Sequence, residues 1–174
     1  SKMLHLSMMP KIILGLVGPI ASGKSVVSEY LAQKGFLVEK LSNRLREEAQ
    51  RRGLECTREN LQDLGNELRV QNGPGFLAQF TIEKFKDFDS SICLDGVRNP
   101  GEVEVIKRNG GILLAIDAPD DRRMDWYLSR SELRLEDRPT KEDFLKADNR
   151  DSGIGEYSSG QQVMECIRLA DVVI

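Results

Sequence analysis

Residues 11–25 read KIILGLVGPIASGKS. An Ile/Leu/Val-rich run, Lys11 to Val17, passes into Gly18, four further residues, and then Gly23-Lys24-Ser25. The apolar run has the length and β-branched character of a buried strand. The glycines at 18 and 23 permit the tight backbone path of a loop that opens into a helix. Such a loop aims several unpaired N–H groups at one point, where the helix dipole adds positive potential. This is the spacing of a phosphate-cradling loop, with Gly18, Pro19, Ile20, Ala21, Ser22, Gly23, Lys24, Ser25 and Val26 expected around a nucleoside triphosphate. Lys24 would reach the β and γ phosphates, and the Ser25 hydroxyl would ligate Mg²⁺. Position 26 is valine, so no second hydroxyl follows Ser25 to hold the α phosphate.

Outward from the loop, apolar runs at 11–17, 36–41, 91–95, 112–117 and 171–174 alternate with helix-like stretches near 24–34, 42–53, 57–72, 76–86, 99–108, 119–136 and 160–170. Alternation of this kind predicts βαβ units and an α/β fold with a parallel sheet covered on both faces. In NPGEVEVIKRNG, Asn99 can cap a helix, Pro100 suits its first turn, and Glu102 sits where a capping box would place it. Pro119 similarly opens a helix with Asp120 and Asp121 in its first turn, and Trp126 and Tyr127 fall to the core. Residues 136–160 are polar and glycine-punctuated and read as a flap. The expectation is one domain over 1–174, with acceptor helices about 42–86 and a lid about 122–160.

The chain has 174 residues, 40% apolar and 30% charged, with a net charge of −3. That balance suits a globular protein and argues against a nucleic-acid binder, which carries a basic excess. Cys56, Cys93 and Cys166 are scattered and His5 is the single histidine, so no zinc site or Cys/His dyad assembles. Such cysteine usage fits a reducing, cytoplasmic location. The opening SKMLHLSMMP is too short and interrupted for a secretory segment, and no stretch reads as a membrane span. A monomer or weak homo-oligomer is expected.

The second informative stretch is SSICLDGVRNP, residues 90–100. Asp95 closes a buried strand at its carboxyl end, where doubly wound sheets bind ligands, and could hold the water shell of Mg²⁺ beside Ser25. The alternative is a turn aspartate bonded to its own loop. Gly96 allows a turn, and Arg98 then emerges on the ligand side.

LDGVRNPGEVE resembles the LDG-x-PR segment of adenylate-kinase-type nucleotide kinases, shortened by one residue. GLVGPIASGKSVVSEYLAQKGFLV is similar to the start of dephospho-CoA kinases, and ADVVI to their last strand. LSNRLREEA resembles the acceptor helix of nucleoside monophosphate kinases. The resemblance, touching both ends and the middle of the chain, is to P-loop kinases of the nucleoside monophosphate kinase group. It implies a three-layer P-loop NTPase fold with a five-stranded parallel sheet, a small helical lid, ATP and Mg²⁺ as cofactors, and phosphoryl transfer. It also implies that the chain continues past its last strand.

By that resemblance, Ser42 and Arg46 would face the acceptor, with Arg46 and Arg98 gripping its phosphate in fork geometry. Asn43 stands where relatives often have aspartate; asparagine can only hydrogen-bond and cannot take a proton from an attacking hydroxyl. A phosphate acceptor needs no such base, so a nucleoside or deoxynucleoside monophosphate is favoured slightly over dephospho-CoA. In the lid, Arg130, Arg134 and Arg138 recur every four residues, a like-charge stripe that an anion would relieve. Kinase lids resembling this one supply arginines to the transferring phosphoryl group; the alternative is balance by Glu132, Glu136 and Asp137. Arg150 is a further lid candidate. The expected catalytic set is Lys24, Asp95, Arg130 and Arg134, with Ser25 and Asp95 as metal ligands. The rival expectation is a nucleotide-binding switch without acceptor turnover.

Overall fold

A computed structural model describes residues 11–129, 139–154 and 160–174. Its elements run β1 (Ile13–Val17), α1 (Lys24–Gln33), β2 (Leu37–Lys40), α2 (Ser42–Arg51), α3 (Arg58–Asn72), α4 (Phe76–Lys84), β3 (Ile92–Asp95), α5 (Pro100–Arg108), β4 (Ile112–Ala115), α6 (Asp120–Leu128), α7 (Lys141–Ser152), α8 (Val163–Arg168) and β5 (Val172–Val173). The strands form one parallel sheet in the order β2-β3-β1-β4-β5.

Strand side chains alternate between the two faces, and each face has its own core. Leu14, Leu16, Cys93, Leu114 and Ile116 pack under Val27 and Leu31 of α1. Val17, Leu94, Leu113 and Ala115 pack on the other face under α2 to α5 and α8, through Leu45, Leu64, Leu77, Ile106 and Val163. Near-continuous apolar strands are what a sheet buried on both sides requires. This is a three-layer α/β P-loop fold, as the sequence predicts.

A third cluster lies beyond the carboxyl ends of the strands. Ile20 of the loop packs with Tyr127 of α6 and Phe144 of α7, and the two rings meet edge-on at 5.3 Å. Part of the stretch 136–160, read as a flap, is regular structure. Lys141–Ser152 is a helix, begun by a capping box in which Thr140 and Asp143 exchange bonds and ended by Gly153. Its polar composition concealed it, because Phe144 and Ala147 are its apolar residues packed inward, and the other buried residue, Asp151, is charged. Two other expectations change. Trp126 is exposed while Tyr127 is buried. Glu102 does not complete the cap of α5: Asn99 accepts from Gly101 N–H, and Glu102 turns inward to Arg69.

Candidate active site

The loop between β1 and α1 is held by its own backbone. Ser22 N–H donates to the Pro19 carbonyl at 3.2 Å, while Ala21 (φ 56°) and Gly23 (φ 93°) take left-handed conformations. A side chain at Gly18 would put its Cβ 2.4 Å from the Ile116 carbonyl oxygen and 2.6 Å from Ser22 Oγ. Only glycine therefore lets the loop close against β4. A Cβ at Gly23 would meet nothing within 4 Å, so the space over the loop is open. The N-terminus of α1 carries no capping side chain and no acid in its first turn, leaving its N–H groups to an external anion. Ser22 Oγ is buried without a hydrogen-bond partner among the described residues. Open space, free amide donors and an orphaned hydroxyl fit a phosphate group.

The parallel register sets Asp95 beside this loop, because Leu16 of β1 is opposite Asp95 of β3. Asp95 is buried, and Ser28 Oγ lies 3.0 Å from both Asp95 Oδ2 and the Lys24 carbonyl. Ser28 was not singled out from sequence; its signal is the i+4 spacing from Lys24, which puts it on the same helix face. Asp95 is thus tied to α1 and does not merely close its own turn. No group of three or more acidic, His or Cys side chains that could hold a metal occurs among the described residues. A cation here would take Ser25 and Asp95 plus phosphate oxygens and water, as Mg²⁺ does in phosphate sites.

One cavity of about 350 Å³ gathers Lys24, Ser25, Asp95, Ser42, Arg46 and Arg98, contributed by three separate stretches of chain. Ser28, Glu29 and Lys40, not foreseen as site residues, also line it. The Leu41 N–H donates to the Asp95 carbonyl at 3.0 Å, which brings the start of α2, and with it Ser42 and Arg46, up to the loop. Arg98 is fixed from several directions. Its N–H donates to Glu102 Oε2 at 3.3 Å, its carbonyl accepts from Gln162 N–H at 2.6 Å, and its Nε lies 3.9 Å from Asp151 Oδ1 of α7. Burial pushes the Lys24 ammonium down from its ordinary value, Arg98 adds repulsion, and Asp95 and Asp151 oppose both.

Three other expected residues have their own surroundings. Asn43 does not line the cavity; its Nδ2 donates to Glu39 Oε1 at 3.3 Å. Arg150, expected in the lid, donates to Asp63 of α3 at 2.5 Å. Val26, in the first turn of α1 beside Ser25, is 69% exposed. Arg130, Arg134 and Arg138 lie outside the described residues.

No family model matches the chain. It is 32% identical over 170 residues to the UPF0200 protein PH1008 of Pyrococcus horikoshii, covering 94% of this chain and 87% of that one. The UPF0200 protein of Hyperthermus butylicus is 36% identical over 147 residues, 83% and 78% of the two chains. The chain belongs to the UPF0200 family. Among solved structures, this UPF0200 protein is similar to TT1252 from Thermus thermophilus, with a TM-score of 0.57 at 21% identity over 95% of this chain and 88% of that one. It is also similar to a shikimate kinase from Acinetobacter baumannii, with a TM-score of 0.52 at 14% identity over 94% and 83%. At those identities the likeness is one of fold, and it places the UPF0200 chain among P-loop kinase-like structures. No described helix is long and apolar enough to cross a membrane.

Proposed function

We propose that this UPF0200 protein is an ATP-dependent kinase that phosphorylates a small anionic acceptor. The observation carrying this reading is the shared cavity: triphosphate-type groups (Lys24, Ser25, Asp95) and acceptor-type guanidiniums (Arg46, Arg98) line the same space. A protein that only bound nucleotide would have no need of the second set. When bound, ATP·Mg²⁺ supplies the transferable phosphoryl group and most of the charge neutralisation. The α1 N-terminus and Lys24 hold the triphosphate, and Ser25 with Asp95 orients the cation. Ser28 keeps Asp95 in place by donating to it. Arg46 and Arg98 seat the acceptor so that its nucleophilic oxygen meets the γ phosphate in line. The lid stripe Arg130/Arg134, by resemblance, would cover the transferring group.

Both acceptors that the resemblance suggests, a nucleoside monophosphate and dephospho-CoA, carry phosphate for Arg46 and Arg98 to grip. A second reading, the nucleotide-dependent switch, is favoured by one feature: Asn43 is turned onto Glu39 and offers the cavity no base. Coupled measurement of ADP release against monophosphates, dephospho-CoA and small phosphorylated acids separates the two. Acceptor-stimulated turnover, lost by about two to three orders of magnitude in Lys24→Ala, is the expected result. Tight ATP binding with no acceptor stimulation would leave the switch.

A further inference from the structure

Ser42, Arg46 and Arg98 form a wall that the site cavity shares with a second one of about 170 Å³ between α2 and α3. Beyond that wall it is lined by Leu45, Cys56, Arg58, Leu61, Gln62 and Gln161. Its floor is an amide pair, both members buried: Gln62 Nε2 donates to Gln161 Oε1 at 3.0 Å, with Asp151 Oδ1 3.5 Å away. The pairing leaves Gln161 Nε2 as a donor for a bound group. Arg58 is the first residue of α3, exposed and following the Thr57 cap. Among the described residues, neither Arg58 nor Arg46 has a hydrogen-bond or ion-pair partner.

The chemistry of this second cavity is one-sided. Three guanidiniums and an amide donor surround it, and among the described residues neither a carboxylate nor an aromatic ring lines it. Arg98 already faces Asp151, but Arg46 and Arg58 are unpaired among the described residues, and unpaired guanidiniums at a cleft favour oxyanions that accept in fork geometry. A nucleobase would find no ring to stack on among the described residues. The volume corresponds to about six waters at ~30 Å³ each, room for a fragment of a few carbons bearing oxygens.

We propose that the acceptor carries a second anionic group, a carboxylate or phosphate on a small aliphatic skeleton, which docks on Arg58 in this cavity. Arg46 and Arg98 hold the end nearer the phosphate loop. Which end reacts rests on the kinase reading above; the docking itself needs no turnover.

Calorimetric titration of the nucleotide-free protein with four probes tests this: glycerol 3-phosphate, 3-phosphoglycerate, 2,3-bisphosphoglycerate and AMP. 3-Phosphoglycerate or 2,3-bisphosphoglycerate should bind at least about tenfold tighter than glycerol 3-phosphate and AMP, given the strength of a charge-assisted hydrogen bond. The better of the two identifies the second group as carboxylate or phosphate. Arg58→Ala should erase that gap and leave glycerol 3-phosphate binding unchanged, whereas Arg108→Ala, which removes an equal charge from the far end of α5, should preserve it. The proposal is overturned if AMP binds tightest, if the gap survives Arg58→Ala or vanishes in Arg108→Ala, or if no probe binds at millimolar concentration. Failure of the kinase reading shows separately, as absence of acceptor-stimulated ADP release while this binding pattern persists.

Discussion

Lys24 stands at the mouth of α1, partly buried, and its ammonium titrates below the ordinary 10.5 because burial and Arg98 disfavour the charge. Between the folded and the ordinary pKa the unfolded chain holds more protons than the native one, so stability rises with pH across that window. Below both, the buried charge costs stability and is retained for its ligand. Lys24→Met, similar in shape and uncharged, should therefore raise the melting temperature of the ligand-free protein at pH 7. It should also flatten the rise in stability on the alkaline side. Differential scanning calorimetry from pH 7 to 10, with and without ATP·Mg²⁺, checks this; the variant should lose most of the melting-point gain that nucleotide gives the parent. A lower ligand-free melting temperature in Lys24→Met would show that the charge is not buried at a cost.

At the scale of elements, α6 and α7 act as a brace under the phosphate loop. Arg123 of α6 is buried and bonds Asp148 of α7 through two nitrogens at 2.6 and 3.1 Å, Asp120 at 2.8 Å, and the Ile20 carbonyl of the loop at 3.2 Å. Its guanidinium also lies over the Phe144 ring. Removing one partner of a buried ion pair leaves an uncompensated charge, at a cost of about 3–5 kcal/mol. Asp120 remains in Asp148→Ala, so the lower end of that range is expected. For a chain of this size that lowers the melting temperature by roughly 6–12 °C. ATP affinity should weaken with it, since the loop loses its anchor; a lowered melting temperature with unchanged ATP affinity would separate α7 from the loop.

At the scale of the whole molecule, elements far apart in sequence converge on Arg98. Its backbone and side chain meet α5 through Glu102, α7 through Asp151 and the start of α8 through Gln162. Glu102 also binds Arg69 of α3 at 3.2 Å, in a pair whose side chains are almost wholly buried. Glu102→Ala strands the Arg69 cation and should cost about 3–5 kcal/mol, read as a fall in the urea midpoint. The double variant Arg69→Met/Glu102→Leu should recover most of that loss, because an apolar pair of similar volume avoids the desolvation cost. Failure to recover would mean that the acceptor Glu102 provides for the Arg98 N–H dominates the pair's contribution.

The sequence by itself determined the order and kind of most elements, and the loop at 18–25, because hydrophobic period, caps and glycine spacing are local properties. Strand positions followed from short, mostly apolar runs, which a doubly covered sheet demands. Carboxylates and guanidiniums carry no such local mark of their partners. Only the tertiary structure decided that α7 is a seated helix, that Arg150 meets Asp63, and that Asn43 meets Glu39 while Ser28 meets Asp95. The cavity holding Arg58 likewise exists only because α2, α3 and the start of α8 are brought around Arg98. The reason is physical: which ion pair forms, and what it costs in water, depends on groups that approach through space from distant parts of the chain.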